Sequence, residues 1–171
     1  MKTSQAMIDK IKEHEGFRAE PYLDPPGVLT IGYGHTKNVT WAHLVTKEQA
    51  EQLLKEDVAE FEGYVSSYVK VPITQSMFDA LVSFSFNVGS GALKNSTLLK
   101  RVNEEDHEAA AKEFLRWNKA TVKGEKVVLP GLTKRREFES YWYTKDMFIQ
   151  TYEDPQKKKA VCSCCGQSLP T

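Results

Sequence analysis

The stretch Glu15 to Thr36, EGFRAEPYLDPPGVLTIGYGHT, decides how this chain is read. Just ahead of it, the segment IDKIKEHE and the residue before it place Met7, Ile8 and Ile11 near helical spacing. Gly16 then supplies the residue that commonly ends a helix. Pro21, Pro25, Pro26 and Gly27 forbid helix beyond that point and mark turns. VLTIGYG mixes β-branched, apolar and Gly residues, as in a short strand with close backbone approaches. The pattern predicts a helix that ends at Glu15, then a small hairpin with Asp24 and Thr30 on its arms. Two carboxyls then face each other across a gap.

Such a pair suits one kind of chemistry. Glycoside hydrolysis uses a carboxylic acid to protonate the leaving oxygen and a carboxylate to support the opposite face of the sugar ring. A partly buried Glu at the negative end of a helix dipole is favoured as the neutral acid. Asp24, in a more open turn, stays ionised, and the Thr30 hydroxyl can hold a water against it. An isolated pair at this spacing among 23 acidic residues reads as solvated surface charge. The residues around it shift that balance.

Further along, KNVTWAHLV reads as a polar connector. Thr46 and Gln49 form a capping-box pattern, and Ala50, Leu53, Leu54, Val58, Phe61 and Val65 recur at helical spacing. The Gly63–Lys70 region loosens that helix and Val71-Pro72 ends it. Thr74 caps a buried helix, QSMFDALVSFSFNVGSG, stopped by Gly89 and Gly91. Asn103 is the expected cap of EEDHEAAAKEFLRWNKA, with Glu104, Glu105 and Asp106 in its first turn. Trp117 reads as core packing in preference to sugar stacking. TVKGEKVVL reads as a polar loop or hairpin, and Pro130-Gly131-Leu132 opens a last helix. In DPQKKKAVCSCCGQSLPT the composition changes to that of a frayed appendage. Cys162-x-x-Cys165 is half of a zinc knuckle, but no second Cys pair completes four ligands. Cys162, Cys164 and Cys165 therefore read as an exposed, oxidisable tail.

The first stretch resembles the phage-type lysozymes, or endolysins, of glycoside hydrolase family 24. Their hallmark is Glu, eight residues, Asp or Cys, five residues, Thr, then an IGYGH-like strand. Here it stands as Glu15, Asp24, Thr30 and Ile31-Gly32-Tyr33-Gly34-His35. QSMFDALVSFSFNVGSGALKNSTLLKRVN and GLTKRR are similar to two further family signatures. The resemblance implies an α+β lysozyme-like fold. A small N-terminal lobe with a short antiparallel sheet (about 13–45) is joined by a connecting helix (46–70) to a helical lobe (71–153). The first helix packs on the helical lobe, the cleft lies between the lobes, and residues 154–171 form the tail.

By the same resemblance Glu15 is the general acid, and Asp24 and Thr30 position and activate water. Phe86, Asn87 and Ser96 are candidates for touching substrate, with core packing and a helix C-cap as competing roles for Phe86 and Asn87. One arginine of GLTKRR reaches Glu15. Arg135 is the expected one, leaving Arg136 as an exposed base at a helix start. His35 and Asp57 are expected to pair and tie the small lobe to the connecting helix. The implied reaction is hydrolysis of the β-1,4 bond between N-acetylmuramic acid and N-acetylglucosamine in bacterial peptidoglycan. No cofactor or metal is expected.

Composition bounds the rest. The chain has 171 residues, 40% apolar and 27% charged, which suits an ordinary globular protein. A net charge of zero gives no global steering toward nucleic acid. The N-terminus lacks the apolar core of a signal peptide, and no apolar run suggests stable membrane insertion. The expectation is a monomer held in the host cytoplasm until a holin opens the membrane to the wall. Two competitors stand beside this: a lytic transglycosylase and a non-catalytic wall-binding protein.

Overall fold

The computed structural model describes residues 1–24, 27–122 and 124–149. The tail with its three cysteines, and Pro25-Pro26, lie outside the described residues. The chain opens with helix α1 (Gln5–Glu15). Its cap, Ser4, accepts from the Met7 amide and donates to Asp79 Oδ2 at 2.5 Å. The Ser4 amide also donates to Asp79, and the Thr3 amide and Lys2 ammonium both donate to Glu62. The start of α1 is thus pinned to the helices that carry Asp79 and Glu62. At its far end Gly16, with φ 70°, adopts a conformation that costs a side-chain-bearing residue, so the helix stops there.

Strands β1 (Arg18–Leu23) and β2 (Leu29–Gly32) form an antiparallel hairpin with Tyr22 opposite Thr30 and Leu23 opposite Leu29. The register shifts between Arg18 and Tyr22. Two strands alone are marginal in water. This hairpin is steadied by α2 (Lys47–Tyr68), which starts with the expected capping box between Thr46 and Gln49. Gly32, at φ +65°, lies so close to α2 that a Cβ there would stand 3.0 Å from Ala50 Cβ. His35 Nδ1 meets Asp57 on the same helix at 2.8 Å, and its Nε2 meets the Lys37 carbonyl at 2.9 Å. Contrary to expectation, α2 is not loosened at Gly63 but continues to Tyr68. Val65 is fully buried beneath that last turn and holds it in place.

The core is organised on α3 (Gln75–Val88), in which every residue from Ser76 to Ser85 is buried. Thr74 caps it and Gly89 ends it, as the sequence suggested. Two short helices follow, α4 (Ser90–Lys94) and α5 (Thr97–Asn103). Helix α6 (His107–Phe114) is capped by Asp106, not Asn103, and stops before Trp117. The reason lies in the Asn103 side chain, which is engaged elsewhere. It accepts from the Lys70 amide and donates to the Tyr68 carbonyl, closing the open end of α2. Beyond α6, Leu115 and Arg116 turn, and the chain enters a hairpin of β3 (Lys119–Val122) and β4 (Glu125–Val128). Helix α7 (Pro130–Ile149) then packs across α3. Phe84 of α3 is fully buried beneath it, edge-on to Phe114 and Trp117 at ring distances of 5.4 and 5.3 Å.

Candidate active site

Glu15 is the last residue of α1, so its side chain leaves the helix where the carbonyls end and the hairpin begins. Gly34, in the turn after β2, lies against it: a Cβ at Gly34 would stand 3.7 Å from Glu15 Oε2. From the other side Arg135 donates from Nη1 to Glu15 Oε1 at 2.7 Å. The Glu15 side chain is 23% exposed, whereas that of Arg135 is 6% exposed. A half-open carboxyl therefore rests on a buried guanidinium.

Asp24 sits where β1 turns toward β2. Its amide donates to the Val28 carbonyl at 3.0 Å, and its Oδ1 accepts from the Val28 amide at 2.7 Å. That bond fixes the carboxylate, and among the described residues Oδ2 accepts from no donor. Thr30 is 3% exposed, and its hydroxyl donates to the Val28 carbonyl at 3.0 Å. With its proton committed, Thr30 Oγ1 is left as an acceptor. Thr30 pairs opposite Tyr22, and Asp24 lies two residues beyond Tyr22. The alternation of strand side chains then puts Asp24 and Thr30 toward one face of the hairpin.

The other expected residues divide. Phe86 is half-buried and packs edge-on to Phe61 at 5.3 Å. Asn87 is exposed, with Oδ1 accepting from Arg136 Nη2 at 2.5 Å. The Ser96 hydroxyl is committed: it caps α5 by accepting from the Leu99 amide at 3.0 Å and donates to the Leu93 carbonyl at 2.7 Å. Ser96 and Trp117 also line a cavity of about 430 Å³ beside the β3–β4 hairpin. A cavity of about 650 Å³ lies behind the first hairpin, lined by Ile31, His35, His43, Gln49 and Gln52 among others. Glu15, Asp24 and Thr30 take no part in it.

Arg136 corrects the expectation of an exposed base. It is fully buried, with its guanidinium 5.0 Å from the Phe84 ring centre and Nη1 3.1 Å from Glu139 Oε2. A partner three residues on and another on α3 draw it inward. Two more residues near the site carried no signal in the sequence. Glu139 is fully buried. His14 stands edge-on to Phe138 at 5.9 Å, and its Nε2 is buried without a hydrogen-bond partner. Burial, with help from the charge of Arg135, brings the His14 imidazole from its ordinary 6.5 down to about 4.

Residues 12–139 match the phage lysozyme family profile. The chain belongs to the phage lysozyme family. An endolysin of Acyrthosiphon pisum secondary endosymbiont phage 1 is 43% identical over 139 residues, covering 81% of this chain and 95% of that protein. An endolysin of Bacillus phage B103 is 49% identical over 142 residues, covering 81% of this chain; the match takes in 52% of that longer protein, about half its length. Among solved structures, the endolysin from Escherichia coli O157:H7 phage FAHEc1 is 43% identical and superposes with a TM-score of 0.79, over 85% of this chain and 95% of that one. This phage lysozyme is thus a hydrolase of the lysozyme type, with the helix-rich α+β fold and short antiparallel sheets that its sequence implied.

Proposed function

We propose that this lysozyme hydrolyses the β-1,4 bond between N-acetylmuramic acid and N-acetylglucosamine in bacterial peptidoglycan, as an endolysin that lyses a host cell. The observation that carries the reading is the half-open Glu15 carboxyl, held on Arg135 at 2.7 Å beside the hairpin that bears Asp24 and Thr30. Glu15 protonates the glycosidic oxygen as the bond breaks. A water donating one proton to Asp24 Oδ2 and the other to Thr30 Oγ1 keeps a lone pair for the anomeric carbon. Asp24 takes its proton as attack proceeds. If the two carboxyls leave room for that water, about 6.5 Å or more, the product is inverted.

Phe86 and Asn87 would line the sugar path between a small lobe at 13–45 and a helical lobe at 71–153, joined by α2. Ser96 would shape that path through the α5 cap, since its hydroxyl has no free proton. The His35–Asp57 pair would hold the small lobe to α2. Release would follow from a cytoplasmic pool once a holin opens the membrane; among the described residues no helix is long and apolar enough to cross one.

The test is turbidity clearing of outer-membrane-stripped cells by the wild type and Glu15→Gln, with mass analysis of the fragments. Clearing by the wild type alone, with one water added per cleaved bond, is expected. Clearing by both would reject Glu15 as the acid. Anhydro-sugar products would assign a transglycosylase instead. Co-expression with and without a holin tests the release step: lysis only with the holin is expected.

A further inference from the structure

Behind Glu15 the chain buries charge that the proposed chemistry leaves unused. Arg135, Arg136 and Glu139 are 5%, 0% and 0% exposed. Glu139 stands between the two guanidiniums. Its Oε1 accepts from Arg135 Nε at 3.3 Å and from Ser83 Oγ at 2.7 Å. Its Oε2 lies 3.1 Å from Arg136 Nη1, a charge contact without hydrogen-bond direction. The outer ends of the guanidiniums lead elsewhere: Arg135 to Glu15, and Arg136 to Asn87. Burying a carboxylate is costly, and an apolar residue of similar size often packs such a position at least as stably. What this carboxylate does beyond packing must therefore show at the far ends of its partners.

We propose that Glu139 is a positioning residue that acts through Arg135 to set when Glu15 holds its proton. The inference rests on the reading of Glu15 as general acid.

Two features carry it. The first is direction. Glu139 takes the Nε edge of Arg135, and the Ser83 carbonyl lies 3.4 Å from Nη2. Nη1 is the edge left to point at Glu15. The second is charge. An ionised Glu139 offsets, from behind, part of the positive charge that Arg135 and Arg136 turn toward Glu15. Burial pushes the Glu139 carboxyl up on balance, and Arg136 and Arg135 offset part of that cost and favour its ionised form.

Few other charges face this site. On α1, His14 is neutral at working pH, Lys10 pairs with Glu13 at 2.8 Å, and Lys12 pairs with Glu51. The hairpin offers Asp24. Among the described residues, α3 offers the uncharged Ser83 and Asn87 and, one turn before Ser83, the buried Asp79, which is held by Ser4, Gln75 and Trp142. Removing the Glu139 charge leaves both guanidiniums uncompensated, so Glu15 gives up its proton at lower pH. Removing the Arg136 charge acts in the opposite sense.

The experiment is the pH dependence of kcat on solubilised peptidoglycan for the wild type, Glu139→Gln and Arg136→Met, with circular dichroism confirming the fold. The alkaline limb is expected to fall by about one pH unit in Glu139→Gln and to rise in Arg136→Met; one unit above the wild-type limb, Glu139→Gln then loses about tenfold. Limbs that coincide in the folded variants, with only kcat altered, mean a structural role and overturn the proposal. Should either variant fail to fold, carboxyl carbon NMR of wild-type protein decides. A Glu139 ionised from pH 5 to 8 is expected, and a neutral one overturns the proposal. If Glu15→Gln still clears cells, the general-acid reading itself has failed. If Glu15→Gln is inactive and the limbs coincide, only the role of Glu139 falls.

Discussion

His14→Leu should make the protein less sensitive to mild acid. In the folded chain His14 lies against Phe138, and its imidazole takes a proton only near pH 4, against 6.5 in an exposed setting. Unfolding frees the ring to bind a proton below 6.5, so the unfolded state gains as pH falls from 6.5 toward 4. His14 therefore contributes stability above pH 6.5 that is lost progressively on acidification and levels off below 4. Taken in full, the loss between pH 7.5 and 5 is about 2 kcal/mol. The ring keeps some contact with solvent, so about 1 kcal/mol is the better figure. For a chain of this size that is about 2–4 °C in Tm. The assay is thermal or urea unfolding of both proteins at pH 7.5 and pH 5. The wild type should lose about 1 kcal/mol more than His14→Leu across that interval. The other titrating groups are present in both proteins, so their contributions cancel in the comparison. Parallel losses in the two proteins would refute the reasoning.

Gly32→Ala should destabilise by about 1–3 kcal/mol in thermal unfolding, because the new Cβ meets Ala50 on a helix that cannot yield and φ is unfavourable for any side chain. Thr46→Ala removes half of the α2 capping box and should cost about 1 kcal/mol in urea unfolding. Glu62 is 7% exposed; burial raises its carboxyl, but the Lys2 ammonium and Thr3 amide outweigh that and hold it below its usual range. Its contribution is present above pH 4.5 and lost as pH falls further, so wild type should lose stability more steeply than Glu62→Gln in acid titration.

Where a local rule governs, the sequence was a good guide. Gly16 ends α1 because of its own backbone, and Thr46 caps α2 through a residue three positions on. The hairpin follows from its prolines and glycines, and with it the placement of Asp24 and Thr30. Distant partners decided the rest. Arg136, in the run KRR, reads as an exposed base until Glu139 and Asn87 are seen to draw it inside. Asn103 and Asp106 are equally good caps on paper; the choice falls to Lys70 and Tyr68, 33 and 35 residues away. Helices α4 and α5 have five and seven residues, too short for any periodicity to declare itself. Arg135 and Glu15 meet across 120 residues, and only the family resemblance anticipated the contact.

The tethering of α1 at its start has a consequence for the whole enzyme. Lys2, Thr3 and Ser4 fasten the helix to the bundle, yet its final residue emerges beside the hairpin. Glu15, the proposed proton donor, is thus anchored through α1 to the bundle, while Asp24 and Thr30 are carried by the hairpin. On the proposed reading, any displacement that widens the gap between them for a glycan strand also draws Glu15 away from Asp24.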